Sequence, residues 1–131
     1  MTAEQAVRAS LGAALRGHAG LRAGLNAVLD GAGGGASPPY AAIGDMLAID
    51  WGTKTAPGRE LRIAVTIRDL AETPARLEGL MALAEEAIES MAREGGGWRV
   101  ASLAFVRGRI GRDGSSGWMG LVEYRVRVLA G

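Results

Sequence analysis

The sequence predicts an α+β fold in which a small, mostly antiparallel sheet of about four strands packs against N-terminal helices and one long helix. Three observations lead there. Apolar residues recur at helical spacing near the N-terminus and again, over a longer stretch, after Thr73. Leu61 to Arg68 and Val122 to Val128 alternate apolar with polar residues, the period of a strand with one buried face. Glycine-rich connectors separate the extended segments at hairpin distance.

Each element has its own local signal. Thr2 followed by Gln5 is a capping-box pattern, after which Val7, Leu11 and Leu15 mark one helical face up to Gly17. Leu21, Leu25, Val28 and Leu29 predict a second, short helix, interrupted by Gly20 and Gly24. Gly31 to Pro39 reads as a loop, and Tyr40 to Ile49 as extended chain without clean alternation. The polar stretch Asp50 to Arg59 is a long hairpin loop leading into the strand at Leu61. Thr73 and Pro74 are the predicted N-cap and first-turn residues of the main helix. Its stripe is Leu77, Leu80, Met81, Ala84, Ala87, Ile88 and Met91, and Gly95 to Gly97 end it. Strands from Trp98 to about Arg109 and from Trp118 to Leu129 close the chain, joined by Gly111 to Gly117.

With 131 residues, the expectation is one domain over 1–131: a helical segment 1–30, a strand pair 39–68, the main helix 73–93 and a second strand pair 98–129. The absence of cysteine excludes disulfides, thiolate nucleophiles and cysteine-bound zinc. No signal-like N-terminus and no apolar run of about 18 residues is found, so the expected protein is soluble, without a membrane segment.

Catalysis finds no footing. His18 is the only histidine and sits just past a predicted helix end. Glu85, Glu86 and Glu89 fall on the outer face of the main helix, where carboxylates do not converge on a metal. Asp45 and Asp50 have no partner that would make them an acid–base pair. The glycine run 31–35 and the Gly52-Thr53-Lys54-Thr55 stretch lack the strand–loop–helix context of a phosphate-binding loop. No catalytic residue, metal ligand or cofactor is therefore assigned.

Binding to protein remains. Residues 1–92 hold 8 basic and 11 acidic side chains, whereas residues 93–131 hold 7 and 3. Arg107, Arg109, Arg125 and Arg127 would share the wet face of the last two strands, either as a solvated face or as a patch for an acidic partner. Without interleaved aromatics, they do not form a nucleic-acid stacking platform. The second candidate surface is the loop carrying Asp50, Trp51, Lys54, Thr55 and Arg59. Trp51 there is either an interface anchor or a side chain folded back on its own sheet.

The run Pro39-Tyr40-Ala41-Ala42-Ile43-Gly44-Asp45, then Asp50-Trp51-Gly52-Thr53-Lys54-Thr55, then Gly58-Arg59-Glu60, resembles the tail-completion, or tail-terminator, family of tailed bacteriophages, prophages and gene transfer agents. The likeness extends through the Arg112-Asp113-Gly114 turn and the strand from Gly120 to Leu129. Ile67-Arg68-Asp69-Leu70 departs from it, since such proteins often carry a tryptophan-containing strand end there. The resemblance implies a non-enzymatic structural protein that forms a ring, commonly a hexamer, on the head-proximal end of the tail tube. The ring stops tube polymerisation and offers a docking surface to the head. Implied partners are copies of itself, the tail tube protein and head–tail connector proteins, with DNA passing through the lumen without specific binding. Assembly in the bacterial cytoplasm and residence in the tail of a phage or phage-like particle follow. Two alternatives stay open: a head–tail connector or adaptor of the same particle, and a small ligand-binding or enzymatic domain.

Overall fold

The computed structural model describes residues 1–31, 35–114 and 116–131. Residues 32–34 of the predicted Gly31–Pro39 loop and glycine run, and Ser115 of the 111–117 connector, lie outside the described residues.

Helix α1 (Ala3–Gly17) starts as its sequence predicts. The Gln5 N–H donates to Thr2 Oγ1 at 3.0 Å and the Thr2 N–H donates to Gln5 Oε1 at 2.8 Å, so both halves of the capping box form. Val7, Leu11 and Leu15 are buried in a row. His18 ends α1 and caps α2 (Ala19–Gly24), its Nδ1 accepting from the Leu21 N–H at 3.2 Å. The predicted second helix is only half right. It stops at Gly24, and Val28 and Leu29 belong to strand β1 (Ala27–Asp30), which pairs in parallel with β2 (Tyr40–Ile43). Asn26 forces the change of direction. Its N–H donates to the Pro39 carbonyl at 2.8 Å, and its side-chain amide donates to the Ser37 and Pro38 carbonyls.

The sheet has seven strands among the described residues, not four. The stretch 40–49 is interrupted after Ile43, giving β2 and then β3 (Leu47–Asp50). Both pair antiparallel with the same side of β4 (Gly58–Asp69), β2 with Val65 to Arg68 and β3 with Arg59 to Arg62. After α3 (Ala75–Glu89) come β5 (Glu94–Gly95), β6 (Trp98–Arg112) and β7 (Trp118–Ala130). The order is β1-β2-β4-β7-β6-β5, with β3 beside β4. Gly95 to Gly97 do not end the helix, which stops at Glu89. Gly96 and Gly97, at φ 59° and 86°, instead make the two-residue turn between β5 and β6, where both central residues need positive φ.

One face of the sheet carries the core. Leu61, Ile63, Val65 and Ile67 of β4 and Val122, Tyr124, Val126 and Val128 of β7 are each at most 1% exposed, packed with the apolar stripes of α1 and α3. Burying each such side chain contributes about 1.5–3 kcal/mol. The Tyr124 hydroxyl donates to Glu89 Oε2 at 2.7 Å, which ties α3 to the middle of β7. Burial, aided by Glu89, pushes that phenol well above its ordinary range, so it stays a neutral donor. The alternate residues of both strands point to the opposite face, where no helix covers them.

The start of α3 is held differently from the prediction. Thr73 is not the cap; Pro74 occupies that position and makes no side-chain hydrogen bond. Arg76 in the first turn instead grips Asp69 at the end of β4, donating from Nε to Oδ2 at 2.9 Å and from Nη2 to Oδ1. Asp69 is the one charged residue fully buried among the described residues. The Arg76 hydrogen bonds hold its carboxyl below the ordinary range, against burial, which pushes it up.

Asp69→Asn should cost on the order of 1.5–3 kcal/mol, because Arg76 loses a charged, bidentate acceptor. A depressed folded pKa stabilises above the unfolded value of about 3.9 and ceases to as pH falls toward the folded one. Urea melts at pH 7 and below pH 4 should therefore show the wild-type advantage over the variant shrinking in acid.

Candidate protein-interaction surfaces

The loop between β3 and β4 is built by its own polar residues. The Trp51 N–H donates to the Gly58 carbonyl at 3.0 Å and closes its base. Asp50 Oδ1 accepts from the Gly52 N–H at 3.2 Å, and Thr53 Oγ1 accepts from the N–H groups of Thr55 and Ala56 at 3.3 and 3.2 Å. Asp50 and the Thr residues are thus spent on shaping the loop, and Lys54 stands exposed at its tip. A side chain at Gly58 would put its Cβ 2.7 Å from the Trp51 carbonyl oxygen, so the close approach requires glycine.

Trp51 is folded back. Its ring lies under the Arg127 guanidinium, 5.4 Å from centroid to Cζ, and Arg127 Nε donates to Glu60 Oε1 at 2.8 Å. Arg59 lies 3.5 Å from Asp50. The two candidate groups therefore meet: Asp50, Trp51 and Arg59 of the loop share one end of the sheet with Arg127 of the closing strand. The other two tryptophans are also tied down. Trp98 Nε1 donates to the Met1 carbonyl, and Trp118 Nε1 donates to the Glu72 carbonyl with Arg112 stacked on its ring.

Arg107, Arg109, Arg125 and Arg127 do share the uncovered face, but they differ in what they are free to do. Glu123 is bound on both sides, accepting from Arg107 Nε at 2.8 Å and from Arg62 Nη1 at 3.3 Å. Arg125 sits directly opposite Arg62, and its Nε is buried without a hydrogen-bond partner. Arg109 has no ion pair among the described residues and lines a hollow of about 280 Å³ with Thr66, Arg107, Arg112 and Met119.

Sequence reasoning missed the apolar part of the surface. Leu47 and Ile49 of β3 are 67% and 53% exposed, and Phe105 and Ile110 of β6 are 50% and 38% exposed. Leu47 and Ile49 fall in the stretch read as extended chain without clean alternation, and nothing there signalled that no element covers them. His18 Nε2 lies 3.3 Å from Glu86 Oε1, which accounts for the single imidazole as a cap and helix-to-helix contact. Among the described residues no cluster of three His, Cys, Asp or Glu could hold a metal ion, and no helix is long and apolar enough to cross a membrane.

A family model described as tail completion protein gp17 matches residues 9–129. Among solved structures, a chain from the virion of a native gene transfer agent particle superposes with a TM-score of 0.77. It is 22% identical, over 97% of this chain and 97% of that one, and at that identity the likeness is one of fold. No curated protein matches the sequence.

Reversing charge at two of these arginines should separate their roles. Arg127→Glu sets a second carboxylate against Glu60 and uncovers Trp51, at a cost of about 1–2 kcal/mol in a denaturant melt. Arg109→Glu should change stability by less than about 0.5 kcal/mol, as expected of a surface residue with no partner.

Proposed function

Because the chain belongs to the tail completion protein gp17 family, we propose that it is a tail terminator, forming a ring on the head-proximal end of the tail tube, stopping tube growth and presenting a docking surface to the head. As a member of that family it is a structural protein of the tail of a phage or phage-like particle, which implies association with other tail or head proteins. The observation that carries the finer reading is the family match, which runs through nearly the whole fold. Ring closure by one kind of subunit requires two different patches that fit each other. The architecture supports that requirement, since helices pack on one sheet face and, among the described residues, leave the opposite face, the outer side of β3 and β6 beyond Val100 without a covering element. In this reading the partners are further copies of the chain, the tube protein and connector proteins, and no catalytic step is involved. The Asp50–Arg59 loop, with its self-closed turn and exposed Lys54, is the proposed contact to the tube, and Arg109 and Arg125 contribute to contacts between neighbours.

Deleting the gene and imaging the particles tests the terminator role. Tubes of uncontrolled length are expected. Tails of normal length that lack heads would instead assign the protein to the connector. Native mass measurement of the purified chain, with and without tube protein, should show a multimer several times the monomer mass.

A further inference from the structure

We propose that neighbouring subunits join edge to edge, strand β3 of one copy adding to the free stretch of β6 in the next, so that one continuous antiparallel sheet runs through the assembly. This rests on the ring reading above and names the surfaces that close it.

Both edges are open. β6 is paired with β7 along its length, but on its other side β5 reaches only Trp98 and Arg99, and the Val100 N–H is taken by the Arg93 carbonyl. From Ala101 onward no strand lies there among the described residues. Across the sheet, β3 is paired with β4 alone, while β1 sits on β2. An open edge is a row of unpaired N–H and C=O groups, which proteins ordinarily blunt with proline, lysine or bulges. β6 has two irregularities, at Val100/Ser102 and Phe105/Arg107, but Arg107 to Arg112 then run in unbroken register with Glu123 to Trp118. Neither that stretch nor β3 contains proline or lysine. β3 instead carries exposed Leu47 and Ile49, which share the outer face with Arg109 of β6, while Phe105 and Ile110 lie on the helix side of β6.

Charge selects which edges meet. Asp45, exposed and without an ion pair among the described residues, stands just ahead of β3, and the chain from there to Asp50, which Arg59 flanks, holds no basic residue. The free stretch of β6 carries no carboxylate, and of its arginines Arg107 is held by Glu123 and Arg112 stacks on Trp118, while Arg109 has no ion pair among the described residues. Two β3 edges would bring carboxylates together and two β6 edges would bring arginines together, whereas β3 against β6 pairs opposite signs. The contact is therefore heterologous, the kind that builds rings.

Strand direction agrees. β3 is antiparallel to β4, β4 to β7 and β7 to β6, so β3 and β6 run in opposite senses. Copies related by rotation about an axis along the strands would meet antiparallel, with all helices on the same side of the joined sheet.

The chain has no cysteine, so introduced thiols are unique reporters. Full-length Ile49→Cys and Arg109→Cys variants, mixed and treated with a short bis-maleimide, should give a covalent dimer that neither variant gives alone. The double variant should give a ladder of linked multimers. Ile49→Lys should shift the native mass to monomer while its melting temperature and circular dichroism stay those of the wild type. Multimers of unchanged size without a cross-link in the mixture would overturn the edge pairing and leave the ring standing. Cross-linking of Ile49→Cys to itself would overturn it in favour of a symmetric contact. A chain that stays monomeric with and without tube protein would remove the ring, and this proposal with it.

Discussion

The register of β4 against β7 is the constraint on which the rest of the molecule depends. Twelve residue pairs, from Gly58↔Leu129 to Asp69↔Trp118, set Leu61 to Ile67 and Val122 to Val128 at alternate positions on the helix side and Glu60, Arg62, Glu123, Arg125 and Arg127 on the other. A slip of one residue would send Leu61, Ile63, Tyr124 and Val126 into water and bring Arg62 and Glu123 under α3. Each face resists that slip separately. On the inner face the Tyr124 hydroxyl reaches Glu89, and on the outer face Glu60 meets Arg127 across the pair. With the helices confined to one side, the open face and open edges follow.

The parts of the fold legible in the sequence were those with a complete local cause. The capping box at Thr2 contains both of its own partners, and β4 and β7 alternate over enough residues to fix their faces. The parts that were not legible depend on distant groups. Val28 and Leu29 fit a helical spacing as well as an extended one, and what decides between them is pairing with β2 across a loop. β5 is two residues long and exists only because Gly96 and Gly97 fold it onto Trp98 and Arg99. Thr73 has the chemistry of a cap, yet the grip of Arg76 on Asp69 places the helix start beyond it.

The candidate surface shows the same division. Its arginines were legible as a group on one face, because strand alternation places them there. Their commitments were not: Arg127 is held by Glu60 and Trp51, Arg107 by Glu123, and only the folded register brings these residues together. The acidic-then-basic division along the chain likewise dissolves in space, since Glu60 from the first part lies beside Arg127 from the last. Charge asymmetry survives locally, in the contrast between the β3 and β6 margins.

The two irregularities in β6 bear on shape as well as on pairing. β6 uses fifteen residues against thirteen in β7 over the same paired span, and a strand with extra residues bends and twists more strongly than its neighbour. The margin of the molecule is therefore curved by backbone length, independent of which side chains it carries. Any larger body built by repeating this subunit would carry that bend into each of its copies.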